Sequence, residues 1–150
     1  MPTHSASQTL PYSCEQLFEL AADVESYPEY LPGWVSARIL QRQDNRLRVK
    51  QQLGLKLFPR PFVTTAVLDC PHSVSIHSSD SPFRLLRIEW RFDPTDRGYC
   101  RVSLHFSYRL RIGLLEPMAA ALFGHATPDI IRRFNKRAQL IYGNKPFTTP

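Results

Sequence analysis

The sequence predicts an α+β fold: one curved antiparallel sheet of about six to seven strands wrapped around a long C-terminal helix. Three observations predict it. Between Trp34 and Ile112, apolar residues recur at every second position in successive short runs, the period of half-buried strands. From about Glu116 to Tyr142 the period lengthens to that of one long helix. Near the N-terminus a shorter helical stripe is stopped by YPEYLPGW, where Pro28 and Pro32 stand among Tyr27, Tyr30 and Trp34.

Residues 3–10 form a first strand. PYSCEQ then starts a helix, with Ser13 as N-cap, Gln16 completing a capping box and Tyr12 set against Leu17 as a hydrophobic staple. Leu17, Leu20, Ala21 and Val24 make one apolar stripe, and acids in the first turns suit the helix dipole. Because a residue before proline is biased away from helical geometry, the helix is expected to end near Ser26, with one further turn at 28–31. Strand periodicity follows: Val35, Ala37 and Ile39 alternate with Ser36 and Arg38, and Leu47, Val49, Gln51 and Leu53 alternate with Arg46, Arg48, Lys50 and Gln52. Asp44 and Asn45 make the turn between these strands.

Residues 62–69 are β-branched and strand-like, while Pro59 and Pro61 confine 58–61 to a loop, bulge or edge. Val74 and Ile76 form a short strand, and Leu86, Ile88, Trp90 and Phe92 mark the next. In YCRVSLHFSYRLRI, Cys100, Val102, Leu104, Phe106, Tyr108, Leu110 and Ile112 face one way, and Arg101, Ser103, His105, Ser107, Arg109 and Arg111 the other. Such alternation fits antiparallel sheet with one covered and one wet face. The closing helix puts Ala119, Leu122, Phe123, Ala126, Ile130, Phe134 and Ile141 on one face, with a kink or break expected at Pro128 and a stop at Gly143. It is the element large enough to cover the sheet, and a helix lying across a concave sheet leaves a space between them.

A chain of 150 residues is read as one domain, 1–150, with its core at about 3–143. At 43% hydrophobic and 21% charged, without a signal peptide's apolar centre, the chain is expected to be cytoplasmic, with peripheral contact at the inner membrane. Net charge is +6, unevenly placed: residues 1–30 hold five acids and no Lys or Arg, whereas 130–150 hold five bases and no acid. The two ends either pair with each other or leave Arg132, Arg133, Lys136 and Arg137 as a basic face for an anionic partner.

Catalytic and metal chemistry leave little trace. Five histidines are scattered without metal-ligand spacing, so no metal site is expected. No nucleophile elbow or phosphate-binding glycine loop is present, and Glu89 and His105 fall in the polar phase of their strands. Cys14, Cys70 and Cys100 lack CxxC spacing, and Cys70 and Cys100 sit in apolar phase as structural thiols. Strand aromatics share the apolar phase instead of interleaving with arginines, which argues against a single-strand stacking platform.

Four segments, in order along the chain, carry a resemblance: ADVESYPEYLPGW, SPFRLLRIEWRFDP, CRVSLHFSYRLRIGLLEPMAAALF and FNKRAQLIYG. Together they resemble the coenzyme Q-binding START-like proteins, a branch of the polyketide cyclase/lipid-transport superfamily that includes RatA-type ribosome association toxins. The resemblance implies a helix-grip (START/Bet v 1-like) fold with a hydrophobic cavity beneath the long helix. It further implies a non-catalytic role, binding ubiquinone or another isoprenoid lipid in support of respiratory electron transfer, with no cofactor required. The alternative it implies is a ribosome-associated protein acting on the large subunit. A cyclase or hydrolase ranks third, and no specific DNA recognition is expected. LFPRPF at 57–62 and Pro128 depart from the family's pattern.

On that reading Tyr27, Tyr30, Leu31 and Trp34 form the cavity rim, and Phe62, Trp90, Phe106, Tyr108, Leu122, Phe123 and Ile130 complete the lining. The competing reading makes the same aromatics a satellite core cluster. An empty pocket of about 300 Å³ would forfeit on the order of 7 kcal/mol at roughly 24 cal/mol per Å³. The space is therefore expected to be filled, or else small.

Overall fold

The computed structural model describes residues 3–54 and 60–143. Its strands are β1 (Thr3–Leu10), β2 (Trp34–Gln43), β3 (Arg46–Leu53), β4 (Phe62–Asp69), β5 (Ser73–Ser78), β6 (Phe83–Pro94) and β7 (Cys100–Leu110). They form one seven-stranded sheet in the order β1-β7-β6-β5-β4-β3-β2, every neighbouring pair antiparallel. The run from β2 to β7 is a meander, and β1 joins its far edge by pairing with β7 from Thr3↔Ser107 to Leu10↔Cys100. The helices are α1 (Cys14–Ala22), a single turn α2 (Tyr27–Tyr30) and α3 (Glu116–Tyr142).

Local chemistry sets the first helix. The Ser13 hydroxyl accepts the Gln16 backbone N–H at 3.1 Å while the Gln16 side-chain Oε1 accepts the Ser13 N–H at 3.1 Å. Two donors that would otherwise be orphaned are thereby satisfied reciprocally. The helix stops at Ala22, short of the expected Ser26, because Asp23 leaves helical geometry at φ −81°, ψ 70°. Val24–Ser26 then make a tighter 3-10 turn before α2. Tyr27 is itself helical (φ −52°, ψ −42°) despite the proline that follows it. Its buried phenol donates to the Ala21 carbonyl, so a tertiary anchor overrides the local preference.

The alternating strands bury the predicted phase, with corrections at the strand ends. Val35 is 56% exposed because a bulge between Trp34 and Ser36 shifts the register. Ile112 is 60% exposed because β7 ends at Leu110 and the chain turns into a 3-10 segment at Gly113–Leu115. Cys70 is exposed as well, since β4 ends at Asp69 and the chain turns there, whereas Cys100 is buried. Of the loop expected at 58–61, residues 58 and 59 lie outside the described residues; Arg60 and Pro61 precede β4.

Helix α3 crosses β1 and β7, and α1 packs against β5, β6 and β7. Its buried face carries Ala119, Phe123, Thr127, Ile130, Ile131, Phe134 and Ala138. Two ring contacts fasten it to the sheet: Phe134 lies 4.7 Å from Trp90 and Phe123 lies 4.8 Å from Phe106. Ile141 is exposed, contrary to the periodicity, because the last turn packs elsewhere. There Tyr142 turns inward and donates to the Gln16 carbonyl at 2.8 Å. Tyr12 closes the same end, donating to the carbonyl of the capping Gly143 at 2.6 Å.

The expected break at Pro128 is absent, and the helix runs through it. Pro128 cannot supply an N–H to the Gly124 carbonyl, and the neighbouring Thr127 hydroxyl donates to the Phe123 carbonyl at 2.7 Å. Pro128→Ala restores the missing donor on an exposed helix surface. It is expected to stabilise the fold by about 1–3 kcal/mol, raising Tm by about 2–4 °C per kcal/mol. A Tm lower than wild type in a thermal melt would show that Pro128 supports the helix.

Candidate functional site

An apolar pocket of about 130 Å³ opens between α3 and the sheet, lined by Pro32, Gly33, Trp34, Leu53, Phe106, Leu122, Phe123, Ala126, Thr127 and Ile130. Its position follows from the sizes of the side chains on α3. Phe123 and Ile130 reach the sheet, while Ala126 and Thr127 between them are too short to fill the curve. The loop at Pro32–Gly33, where Gly33 takes φ 85°, bounds the opening. A second gap of about 10 Å³ lies deeper, bordered by Tyr27, Leu31, Trp34, Ile76, Ile88, Trp90, Leu104, Phe106 and Ile130. That is room for no more than about one water.

Trp34 stands between the two spaces and is held by a polar chain. Its indole N–H donates to the Gln51 carbonyl oxygen at 2.7 Å, and the Gln51 amide donates to the Thr64 hydroxyl at 2.8 Å. Gln51 is only 2% exposed, so a polar residue in apolar phase is accounted for as the orienting group of a pocket wall. Tyr27 meets Trp34 edge-on at 5.9 Å. Burial pushes the Tyr27 phenol well above its ordinary range, against a lowering side-chain hydrogen bond from Trp90, so it stays neutral.

Of the residues expected at the site, Trp34, Phe106, Leu122, Phe123 and Ile130 line the larger pocket, and Tyr27, Leu31 and Trp90 border the smaller gap. Three stand elsewhere. Phe62 packs on Phe83 with ring centroids 5.3 Å apart. Tyr108 backs Phe123 at 5.0 Å and shares a 3.3 Å hydrogen bond with His4. Tyr30 lines an outer groove with Arg133, Lys136 and Arg137. Pro32, Gly33, Leu53, Ala126 and Thr127 were not anticipated as lining. Leu53 and Ala126 lay in the apolar phase and were available; Thr127 was hidden by its hydroxyl.

Three of the four basic residues have acidic partners within the chain. Asp129 takes up Arg132 and, at 3.1 Å, Arg133. Partial burial raises its carboxyl, but the hydrogen bonds from both arginines prevail and hold it below the usual carboxylate value. Arg137 reaches Glu29 at 3.2 Å, so one pair bridges the acidic and basic ends of the chain. Glu89 and His105 are register partners on the wet face, and Glu89 pairs with Arg91 at 3.2 Å. Burial raises the thiols of Cys14 and Cys100, which hydrogen-bond each other, and that disfavours the reactive thiolate. Among the described residues no group of three His, Cys, Asp or Glu is placed to hold a metal ion.

The family model for polyketide cyclase/dehydrase and lipid transport matches residues 10–135. The chain belongs to that family. Among its relatives, the ribosome association toxin RatA of Escherichia coli (strain K12) is 29% identical over 142 residues, covering 95% of this chain and 90% of RatA. The mitochondrial coenzyme Q-binding protein COQ10 homolog B of Xenopus laevis is 25% identical over 146 residues, covering 95% of this chain and 60% of that protein. A START superfamily protein from Mycobacterium smegmatis superposes with a TM-score of 0.80 at 14% identity, over 94% of this chain and 99% of that one, and shows the fold alone. No helix among the described residues is long and apolar enough to cross a membrane.

The Trp34–Gln51–Thr64 chain generates a prediction. Gln51→Leu keeps the volume but strands the indole N–H and loosens Thr64, an expected loss of about 1–3 kcal/mol. Urea unfolding should show a lower midpoint with an unchanged slope. A midpoint equal to wild type would mean that the Trp34 ring is held by packing alone.

Proposed function

We propose that this family member binds an apolar ligand without transforming it, and that the ligand is ubiquinone or another isoprenoid lipid. The observation that carries this reading is the apolar pocket of about 130 Å³ between α3 and the sheet. Left empty it would forfeit on the order of 3 kcal/mol at roughly 24 cal/mol per Å³, a large share of a typical stability of about 5–15 kcal/mol. An apolar occupant recovers that loss. The volume is close to that of an engineered cavity of about 150 Å³ that admits benzene. It therefore takes one ring or one prenyl unit, and the remainder of a longer ligand lies out past Pro32, Gly33 and Leu122.

Binding without chemistry follows from the lining. Its polar side chains are Trp34 and Thr127, and both already donate their hydrogen bonds within the fold. General acid–base work needs an ionisable group within reach of the substrate, and none of these lining residues provides one. The similarity to a coenzyme Q-binding protein supports a quinone and a role in respiratory electron transfer. The same reading has the chain working in the cytoplasm with peripheral contact at the inner membrane.

Solvent extraction of the purified protein followed by mass spectrometry is expected to recover a quinone or other isoprenoid, and added ubiquinone to raise Tm. Ala126→Leu fills the pocket, so it should abolish the ubiquinone shift while keeping a folded protein by circular dichroism. No extracted lipid together with no ubiquinone shift in wild type would end this reading.

A second reading is favoured by the RatA similarity, which runs over 95% of the chain. Here the chain associates with ribosomes through Arg132, Arg133, Lys136 and Arg137. Co-sedimentation should then be strong at low salt, weak at high salt and reduced when all four are changed to Gln. Equal pelleting of wild type and the quadruple variant removes this helix from any ribosome contact.

A further inference from the structure

Another concavity lies outside the sheet–helix pocket, between α2 and the last turns of α3. It is a groove of about 250 Å³ lined by Glu29, Tyr30, Arg133, Lys136, Arg137 and Leu140. The α3 members stand at i, i+3, i+4 and i+7, so one helix face presents three cations to α2. Their partners are unequal. Arg133 is held by Asp129 at 3.1 Å, and one terminal nitrogen of Arg137 donates to Glu29 at 3.2 Å.

Two residues that line the groove each carry a buried polar group without a partner: the Tyr30 hydroxyl and the Nε–H of Arg137. Buried donors in native proteins are nearly always satisfied, so two orphans beside one groove mark a place for an acceptor the chain does not supply. Arg137 is already fixed for that purpose, its guanidinium 5.2 Å from the Tyr30 ring centroid and its side chain only 18% exposed. Burial raises the Tyr30 phenol despite the lowering influence of Arg137, so the hydroxyl keeps its proton and can donate. Glu29, whose side chain is 60% exposed, shows the chemistry by example: its carboxylate is an anion seated on Arg137 from the rim.

We propose that this groove is a binding site for one phosphate group, which displaces Glu29 from Arg137. Lys136 and the Arg137 nitrogen that Glu29 releases neutralise it, departure of Glu29 opens the buried Arg137 Nε–H and Tyr30 hydroxyl to its oxygens, and Arg133 stands at the mouth. A compact anion suits this shape better than a long polyanion. A polyanion is served by a flat face of solvated cations and has no use for a buried phenol. The site stands whether or not the sheet–helix pocket takes a lipid.

Inorganic phosphate, titrated at constant ionic strength against chloride, is the probe. It is expected to raise Tm saturably and to move the amide resonances around Tyr30, Lys136 and Arg137. Tyr30→Phe removes only the hydroxyl and Lys136→Gln changes an exposed side chain, so both fold. Each should weaken binding by about tenfold, the worth of one charge-assisted hydrogen bond. Arg46→Gln, on the distant strand β3, should leave it unchanged. Vesicles of phosphatidylglycerol and of phosphatidylcholine form a second arm. Capture by phosphatidylglycerol that Lys136→Gln and Tyr30→Phe abolish, without response to free phosphate, assigns the phosphate to a lipid headgroup. A wild-type response matched by chloride, or one that both variants share in full, overturns the site. So does tight binding of a single-stranded RNA that Tyr30→Phe leaves intact, which would make this face a nucleic-acid surface instead.

Discussion

The contact on which the molecule depends is the clamp of α3 on the inner face of the sheet. Phe134 sits on Trp90 and Phe123 on Phe106, one near each end of the helix's buried stretch. A seven-stranded antiparallel sheet with one apolar face is not stable in water alone, and no other helix among the described residues is long enough to cover it. Removing either ring would take away a contact of the kind worth about 3–5 kcal/mol in a core. The Tyr12 bond to Gly143 ties the segment before α1 to the end of that clamping helix.

Between the two fastening points the helix carries Ala126 and Thr127, and the fold tolerates a space there. The trade is one of magnitude. A void of about 130 Å³ is affordable within the stability of a domain this size, whereas one of about 300 Å³ would consume most of it. The walls are correspondingly rigid. Trp34 is pinned by Gln51 and backed by Tyr27, itself held by Ala21, so this wall of the pocket is preformed rather than assembled by its occupant. Preorganisation of that kind favours binding, because little side-chain freedom remains to be lost.

Electrostatics divide the same helix into two faces. Its inner face is apolar from Ala119 to Ala138 and packs on the fold; from Asp129 onward its outer face carries cations, of which Arg132 and Arg133 pair with Asp129 and Arg137 with Glu29 of α2. Exposed pairs of this type contribute little to stability, about 0–1 kcal/mol each. Their arrangement matters more for what approaches the surface than for holding the fold.

Much of this was legible in the amino-acid sequence, because periodicity and capping are local. Ser13 and Gln16 announced the start of α1, alternation from Leu47 to Leu53 and from Cys100 to Leu110 marked buried faces, and the span of α3 followed from its apolar stripe and Gly143. What failed did so where packing beyond the immediate neighbours overrode a local rule: Tyr27 helical before proline, Val35 turned out by a bulge, Ile141 left exposed while Tyr142 turned in. The pocket belongs wholly to the tertiary structure. Its volume is a small difference between the side chains of the loop before β2, of β2, β3 and β7, and of α3, and no pattern within one segment reports a remainder left among five. Sequence alone determined which faces are oily and in what order the elements come; only their packing decided how nearly those faces meet.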